Sequence, residues 1–252
     1  MSAATSSSGS VATRRPRRPS AWYTFRALKK TSLNALHHAA GAKMTDIAGW
    51  AMPLEFAGTA TEQEAVRTTA GLFDVSHLGE LEVAGKDALT ALNQAFSTDF
   101  SALKPGHAQH AGDVLVFRLK NDHFMVVTNP GRVFETYNAI AEKAGSLGDA
   151  VAFDASSRYT VIAVQGPRAQ RMVQPLTGVD LSGLEHGDFA HGEFANVRGT
   201  ISRAGIMGGD GFEIFIPPQQ ADRVWQSLVD NGAVPCGFAA SDTGGAIVCP
   251  KP

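Results

Sequence analysis

Two apolar runs, DVLVFRL at 113–119 and HFMVVTN at 123–129, follow one another with only Lys120-Asn121-Asp122 between them. Each is long enough for a strand, and so short a connection joins antiparallel neighbours, because a parallel return needs a crossover of about a dozen residues or more. Around this hairpin, helical and strand patterns mix without a regular strand-helix-strand repeat. TSLNALHHAAG reads as a short amphipathic helix, with Leu33 and Leu36 on one face and Gly41 as its C-cap. GTATEQEAVRTTAG reads as a helix ending at Gly71, and HLGELEVAG as a half-buried strand. GKDALTALNQAF and GRVFETYNAIAEKAG read as helices, with a turn at Lys104-Pro105-Gly106 after the first. YTVIAVQG reads as a buried strand, and PRAQRMVQPL as a helix opened by proline. GEFANVRGTISRAG and GFEIFIP give further strands, and QQADRVWQSLVDNG a closing helix. The expected fold class is α+β with largely antiparallel sheets.

Charge is distributed unevenly. The chain carries a net charge of −2, yet no acidic residue precedes Asp46 while Arg14, Arg15, Arg17, Arg18, Arg26, Lys29 and Lys30 crowd the start. Serine and threonine are abundant there too, and an Arg-rich, Ser-rich, acid-free leader has the composition of an organellar transit peptide. The alternative is a basic tail for anionic partners. Residues 1–30 are therefore expected to be a leader, with a short helix over 21–30, and residues 31–252 the folded domain. Without the leader's seven positive charges the remainder stands at −9, an unfavourable balance for nucleic acid. No stretch of about eighteen apolar residues occurs, so no membrane span is expected.

The glycine-rich GIMGGDG at 205–211 is neither a dinucleotide fingerprint nor a P-loop, and a tight loop between strands is the simpler reading. Gly244-Gly245 is a weaker signal of the same kind. No metal site is expected: His186 and His191 are five apart, off a common helical face, and His107 and His110 lack a further ligand close by. Cys236 has apolar flanks and reads as a quiet core thiol. In FDVSHLGE, Asp74, Ser76 and His77 sit between Phe73 and Leu78, either as a hydrogen-bonded turn from helix to strand or as the lining of a cleft.

Taken in order, KTSLNALHHAAGAKMTDIAGWAMPLEF, EQEAVRTTAGLFDVSHLGELEVAGKDA, VIAVQGPRAQ, SRAGIMGGDGFEI and PCGFAASDT resemble the glycine-cleavage aminomethyltransferases, the T-protein family, over about residues 31–243. The resemblance implies a folate-binding α+β domain without the smaller C-terminal barrel of full-length members. It also implies an activity: transfer of a one-carbon unit from an aminomethyl group on a lipoylated carrier protein to tetrahydrofolate, with release of ammonia. Tetrahydrofolate would be the co-substrate and the carrier the partner, with no metal, and the pathway points to the mitochondrial matrix.

By the same resemblance Asp113 corresponds to the catalytic aspartate, although as a bare residue it also reads as an ordinary strand start. Phe117 falls where an aromatic lines the folate slot, Asn129 where a strand-end asparagine sits, and Leu78 where methionine is usual. The chain departs from the pattern in several places. Gly112 replaces the first of two aspartates, and only Ala111-Gly112 separates His110 from Asp113, where the family carries a further strand. Gly209 stands where an acid anchors the pterin, Ile206 where tyrosine is usual, and Ser241 where an arginine is expected beside Asp242.

Overall fold

The computed structural model describes residues 27–205 and 209–241. The strands are β1 (Lys29–Lys30), β2 (Lys43–Ile47), β3 (Trp50–Glu55), β4 (Gly71–Asp74), β5 (Gly79–Ala84), β6 (Ala108–Ala111) and β7 (Val114–Lys120). They continue with β8 (His123–Thr128), β9 (Val151–Asp154), β10 (Thr160–Gln165), β11 (Phe189–Phe194), β12 (Val197–Arg203), β13 (Gly211–Ile216) and β14 (Val234–Pro235). The helices are α1 (Asn34–Ala39), α2 (Thr59–Thr68), α3 (Ala88–Phe96), α4 (Val133–Gly145), α5 (Ala169–Val173) and α6 (Ala221–Asp230).

Three sheets result, ordered β1-β3-β2, β11-β12-β13-β10-β4-β14 and β6-β7-β8-β5-β9. Pairing is antiparallel except between β1 and β3 and between β14 and β4. The α+β expectation therefore holds, as does the hairpin, whose β7 and β8 meet across Asn121 and Asp122.

Side-chain alternation explains how the sheets stack. On β8, Phe124 and Val126 join Leu81, Val83, Leu92 and Ile140 in a core under α3 and α4, while Met125 and Val127 point to the opposite face. On β10, Ile162 and Val164 pack under α5 and α6, while Val161 and Ala163 turn to that same middle layer. The two large sheets thus lie face to face, each covered outside by helices. Strands with both faces covered read as continuous apolar runs, which is why YTVIAVQG and GFEIFIP show little alternation.

Several sequence expectations need correction. β5 is not half-buried: Glu80 and Glu82 are 1% and 3% exposed, because the face they occupy meets the other sheet rather than water. The second helix stops at Thr68, and Gly71 opens β4. A Cβ on Gly71 would lie 2.6 Å from Val66 Cγ2 and 2.9 Å from Phe73 Cε2, so close packing rather than a helix cap requires glycine there. Lys29 and Lys30 are strand rather than the end of a helix, pairing with Trp50 and Ala51. Residues 1–26 of the expected leader, and Ile206, Asp242 and Gly244-Gly245, lie outside the described residues.

The FDVSH segment is a hydrogen-bonded turn, but between two strands. Asp74 Oδ2 accepts from Thr31 Oγ1 at 2.7 Å and from His37 Nε2 at 2.9 Å, and its Oδ1 accepts from the Ser76 amide and hydroxyl. This knot ties the α1 segment to the edge of the middle layer. His77 is buried with its ring edge-on to Phe238, and burial lowers its pKa to about 4, keeping it neutral.

Candidate functional site

The middle layer is largely apolar, with buried carboxyl groups contributed by each sheet. On β13 the run Gly211–Ile216 is buried throughout; Phe212, Ile214 and Ile216 face the helices, and Glu213 and Phe215 face the opposite sheet. Register places Glu213 beside Ser202 on β12 and Ala163 on β10. Burial raises the Glu213 carboxyl to about 7, as expected when a charge is removed from water.

From the facing sheet, β5 contributes Glu80 and Glu82, whose situations differ. Glu82 is fully engaged, accepting from His123 Nε2 at 2.8 Å, Tyr159 OH at 2.9 Å and Arg158 Nη1 at 3.3 Å. It holds β5 to β8 and to the chain entering β10. Burial and the Glu82 carboxylate together raise the Tyr159 phenol, keeping it a donor. Glu80 is different: its Oε1 is buried and has no hydrogen-bond partner in the structure. Burial, then the charges of Glu213 and Asp154, hold its carboxyl well above the usual range.

Around these acids stand Leu78, Phe117, Met125 and Val127 on one side and Val161, Ala163, Ala204 and Phe215 on the other. Phe117 sits edge-on to Phe189 and Phe215, with ring centroids 5.4 and 5.6 Å away. Apolar walls with a few buried polar groups suit a flat heterocycle that presents N–H donors at its edge.

The expected site residues fall in two places. Leu78 and Phe117 line the middle layer, both buried. Asp113 and Asn129 lie at the strand ends. Gly79, Thr128 and Val114 form one row across β5, β8 and β7, so Leu78, Asn129 and Asp113 stand side by side one step beyond it. Phe117 lies four residues along β7 from Asp113, roughly 13 Å deeper at a strand rise of about 3.3 Å. Asp113 occupies the β6–β7 turn behind Gly112, which takes a φ of +63°, and the turn closes directly from Ala111 to Val114. Its carboxyl is 45% exposed and accepts from Arg132 Nη1 at 2.6 Å, while Arg132 Nη2 reaches Glu135 at 3.0 Å. The Asn129 carbonyl accepts from the Arg132 amide and so helps to place that arginine.

Sequence reasoning missed Glu213 and Glu80. The signal was present: a lone charged residue inside GFEIFI, a strand otherwise apolar at every position after its glycine, has no solvated face to occupy. Gly209, where an acid was expected, is exposed in its loop, and neighbouring Asp210 forms a two-pronged pair with Arg203 at 2.9 Å. Ser241, where an arginine was expected, donates to the Phe238 carbonyl. Among the described residues no group of three or more His, Cys, Asp or Glu is placed to hold a metal ion, and no helix is long and apolar enough to cross a membrane.

The architecture is that of an α+β domain in which two large sheets enclose an apolar layer with buried acids. The chain matches the GCVT N-terminal domain over residues 33–244 and belongs to that family. It is 39% identical over 231 residues to an aminomethyltransferase of Streptomyces avermitilis and 38% identical over 234 residues to one of Acidobacterium capsulatum, covering 86% of this chain in each case. It spans only 62% of the length of those relatives. The crystal structure of the glycine cleavage system aminomethyltransferase T from Bartonella henselae superposes with a TM-score of 0.77 at 29% identity, over 85% of this chain and 61% of that one. Heterotetrameric sarcosine oxidase from a Corynebacterium shares the fold, with a TM-score of 0.54 at 19% identity over 69% of this chain and 90% of that one.

Proposed function

We propose that the chain is the folate-binding part of an aminomethyltransferase that passes a one-carbon unit from the aminomethyl group of a lipoylated carrier protein to tetrahydrofolate, releasing ammonia. The observation that carries this reading is Glu213, a carboxyl buried in the apolar layer of a domain whose family relatives are named aminomethyltransferases. A 2-amino-4-oxo pterin offers N–H donors to that carboxyl and apolar ring faces to the side chains around it. Once paired with those donors, the carboxylate ionises and is no longer penalised by burial. The aminobenzoate then extends toward the strand ends, where Asn129 and Asp113 stand.

At that rim Asp113 positions the folate amines and accepts a proton as the carbon is delivered, which requires it to leave Arg132. An exposed ion pair of this kind holds by only about 0–1 kcal/mol, so an arriving amine competes with it readily.

One observation favours a second reading, a folate-fold protein without transfer chemistry. Asp113 lies at the rim, half in water and held by Arg132, rather than inside the layer. Ammonia release from the aminomethylated carrier separates the two readings. The transferase reading expects Asp113→Asn to lose most of the rate, and equal rates would clear Asp113 of any role. Absence of heat on titrating millimolar tetrahydrofolate into the protein would remove the transferase reading altogether. On the composition of residues 1–30, we also propose mitochondrial delivery; a fluorescent reporter fused behind that segment and remaining cytosolic would refute it.

A further inference from the structure

The carboxyl of Glu80 has no structural task comparable to that of its neighbour Glu82. Glu82, two residues along the same face of β5, is tied by three side chains. Glu80 is 1% exposed, and its Oε1 meets no donor or acceptor in the structure. Leaving a buried polar atom unpaired destabilises a fold, so a sequence selected only for folding would place an apolar residue here. Alternation settles where it points: Leu81 and Val83 belong to the core under α3 and α4, so Glu80 faces the middle layer. There it lies near enough to Glu213, from the opposite sheet, for the two charges to interact.

We propose that Glu80 is a second polar anchor of the folate slot, donating a hydrogen bond from its Oε1 hydroxyl to an acceptor on the ring whose N–H donors Glu213 receives. The inference rests on the folate reading above and adds a residue to it. Two carboxyls in one dry layer cannot both carry charge cheaply, and the arrangement resolves this by dividing their roles. Burial, followed by the charges of Glu213 and Asp154, keeps Glu80 in its acid form, which is the donor form. Glu213, which faces the ligand's donors, is the one that ionises against them. A 2-amino-4-oxo pyrimidine edge has N–H donors beside a carbonyl acceptor, so it can satisfy one carboxylate and one carboxylic acid together.

Titration calorimetry with tetrahydrofolate on the full 252-residue chain tests the assignment, together with thermal melts of the free proteins. Glu80→Leu removes the donor and keeps the bulk; about tenfold weaker binding is expected, with a melting temperature equal to or above that of the parent. Glu80→Gln keeps an N–H donor and is expected to bind within about threefold of the parent. A merely structural Glu80 predicts the reverse for Glu80→Leu, a lower melting temperature and unchanged affinity, and that result overturns the proposal. Glu80→Gln binding as weakly as Glu80→Leu also overturns it, since donation would then not be what matters. A Glu213→Gln arm keeps the two claims apart. If the parent binds, Glu213→Gln binds poorly and Glu80→Leu binds like the parent, only the role of Glu80 falls. If the parent itself does not bind, the folate reading falls and takes this proposal with it.

Discussion

Glu213 and Asp74 are both buried acids, and their surroundings drive them in opposite directions. Glu213 is raised to about 7, so the folded protein holds a proton that the unfolded chain has released over the window from about 4.5 to 7. Stability is therefore lost as pH rises through that window, by at most about 3 kcal/mol at 1.36 kcal/mol per pKa unit. Glu213→Gln should escape this loss, melting several degrees above the parent at pH 8 and close to it at pH 4.5, at roughly 2–4 °C per kcal/mol. Equal melting temperatures at pH 8 would show that the carboxyl is not desolvated. For Asp74, burial is the largest influence and pushes the carboxyl up, but the bonds from His37, Ser76 and Thr31 outweigh it and the net shift is downward. Its contribution is full above the unfolded carboxylate value, near 4, and is lost as pH falls through the lower folded value. Asp74→Asn should lose about 3 kcal/mol at pH 7, since it removes one partner of a buried pair, and should show a shallower decline in urea stability between pH 4 and 2. A decline as steep as the parent's would assign acid unfolding to other groups.

At the scale of elements, legibility followed the number of solvated faces. The β7–β8 hairpin was readable because two apolar runs with a short polar break have few alternatives. The helices α3, α4 and α6 were readable from their amphipathic period. β5 was misread because Glu-Leu-Glu-Val alternation looks the same whether the glutamates meet water or a second sheet; only tertiary stacking separates the cases. The same ambiguity hid the burial of Glu80. Leu78 and Phe117 were placed by resemblance to the family, and their burial in the layer owes nothing to local pattern. The α2–β4 junction shows a glycine misread for a related reason: a cap and a close approach look alike in sequence. Gly71→Ala should therefore destabilise by about 1–3 kcal/mol, the range for overpacking, because its Cβ would press on Val66, Phe73 and Cys236. Gly112→Ala meets open space and carries only the strain of a φ of +63°, about 1 kcal/mol. Denaturant midpoints for the pair test this, and a milder effect at Gly71 than at Gly112 would contradict the packing seen at the junction.

For the molecule as a whole, the proposed slot would be shared: Glu213 comes from one large sheet, Glu80 and Phe117 from the other, and Asp113 from the rim of the second. A ligand seated between the sheets bridges both layers and stabilises them as one unit. Tetrahydrofolate at a hundred times its dissociation constant should add about 2.7 kcal/mol, raising a single melting transition by roughly 5–10 °C. The size of that rise in variants separates binding from chemistry. Glu213→Gln should abolish most of it, because the amide carries no charge and puts an N–H group in place of one of the two oxygens that would face the ring donors. Asp113→Asn should keep nearly all of it while ammonia release falls, because Asp113 lies roughly 13 Å along its strand from Phe117 and already has Arg132 as a partner. If Asp113→Asn instead removes the thermal rise, the rim carboxylate is holding the folate rather than acting on it, and the division of labour between the deep acids and the rim acid is wrong. If both variants keep the rise, the ligand does not sit between the sheets at all.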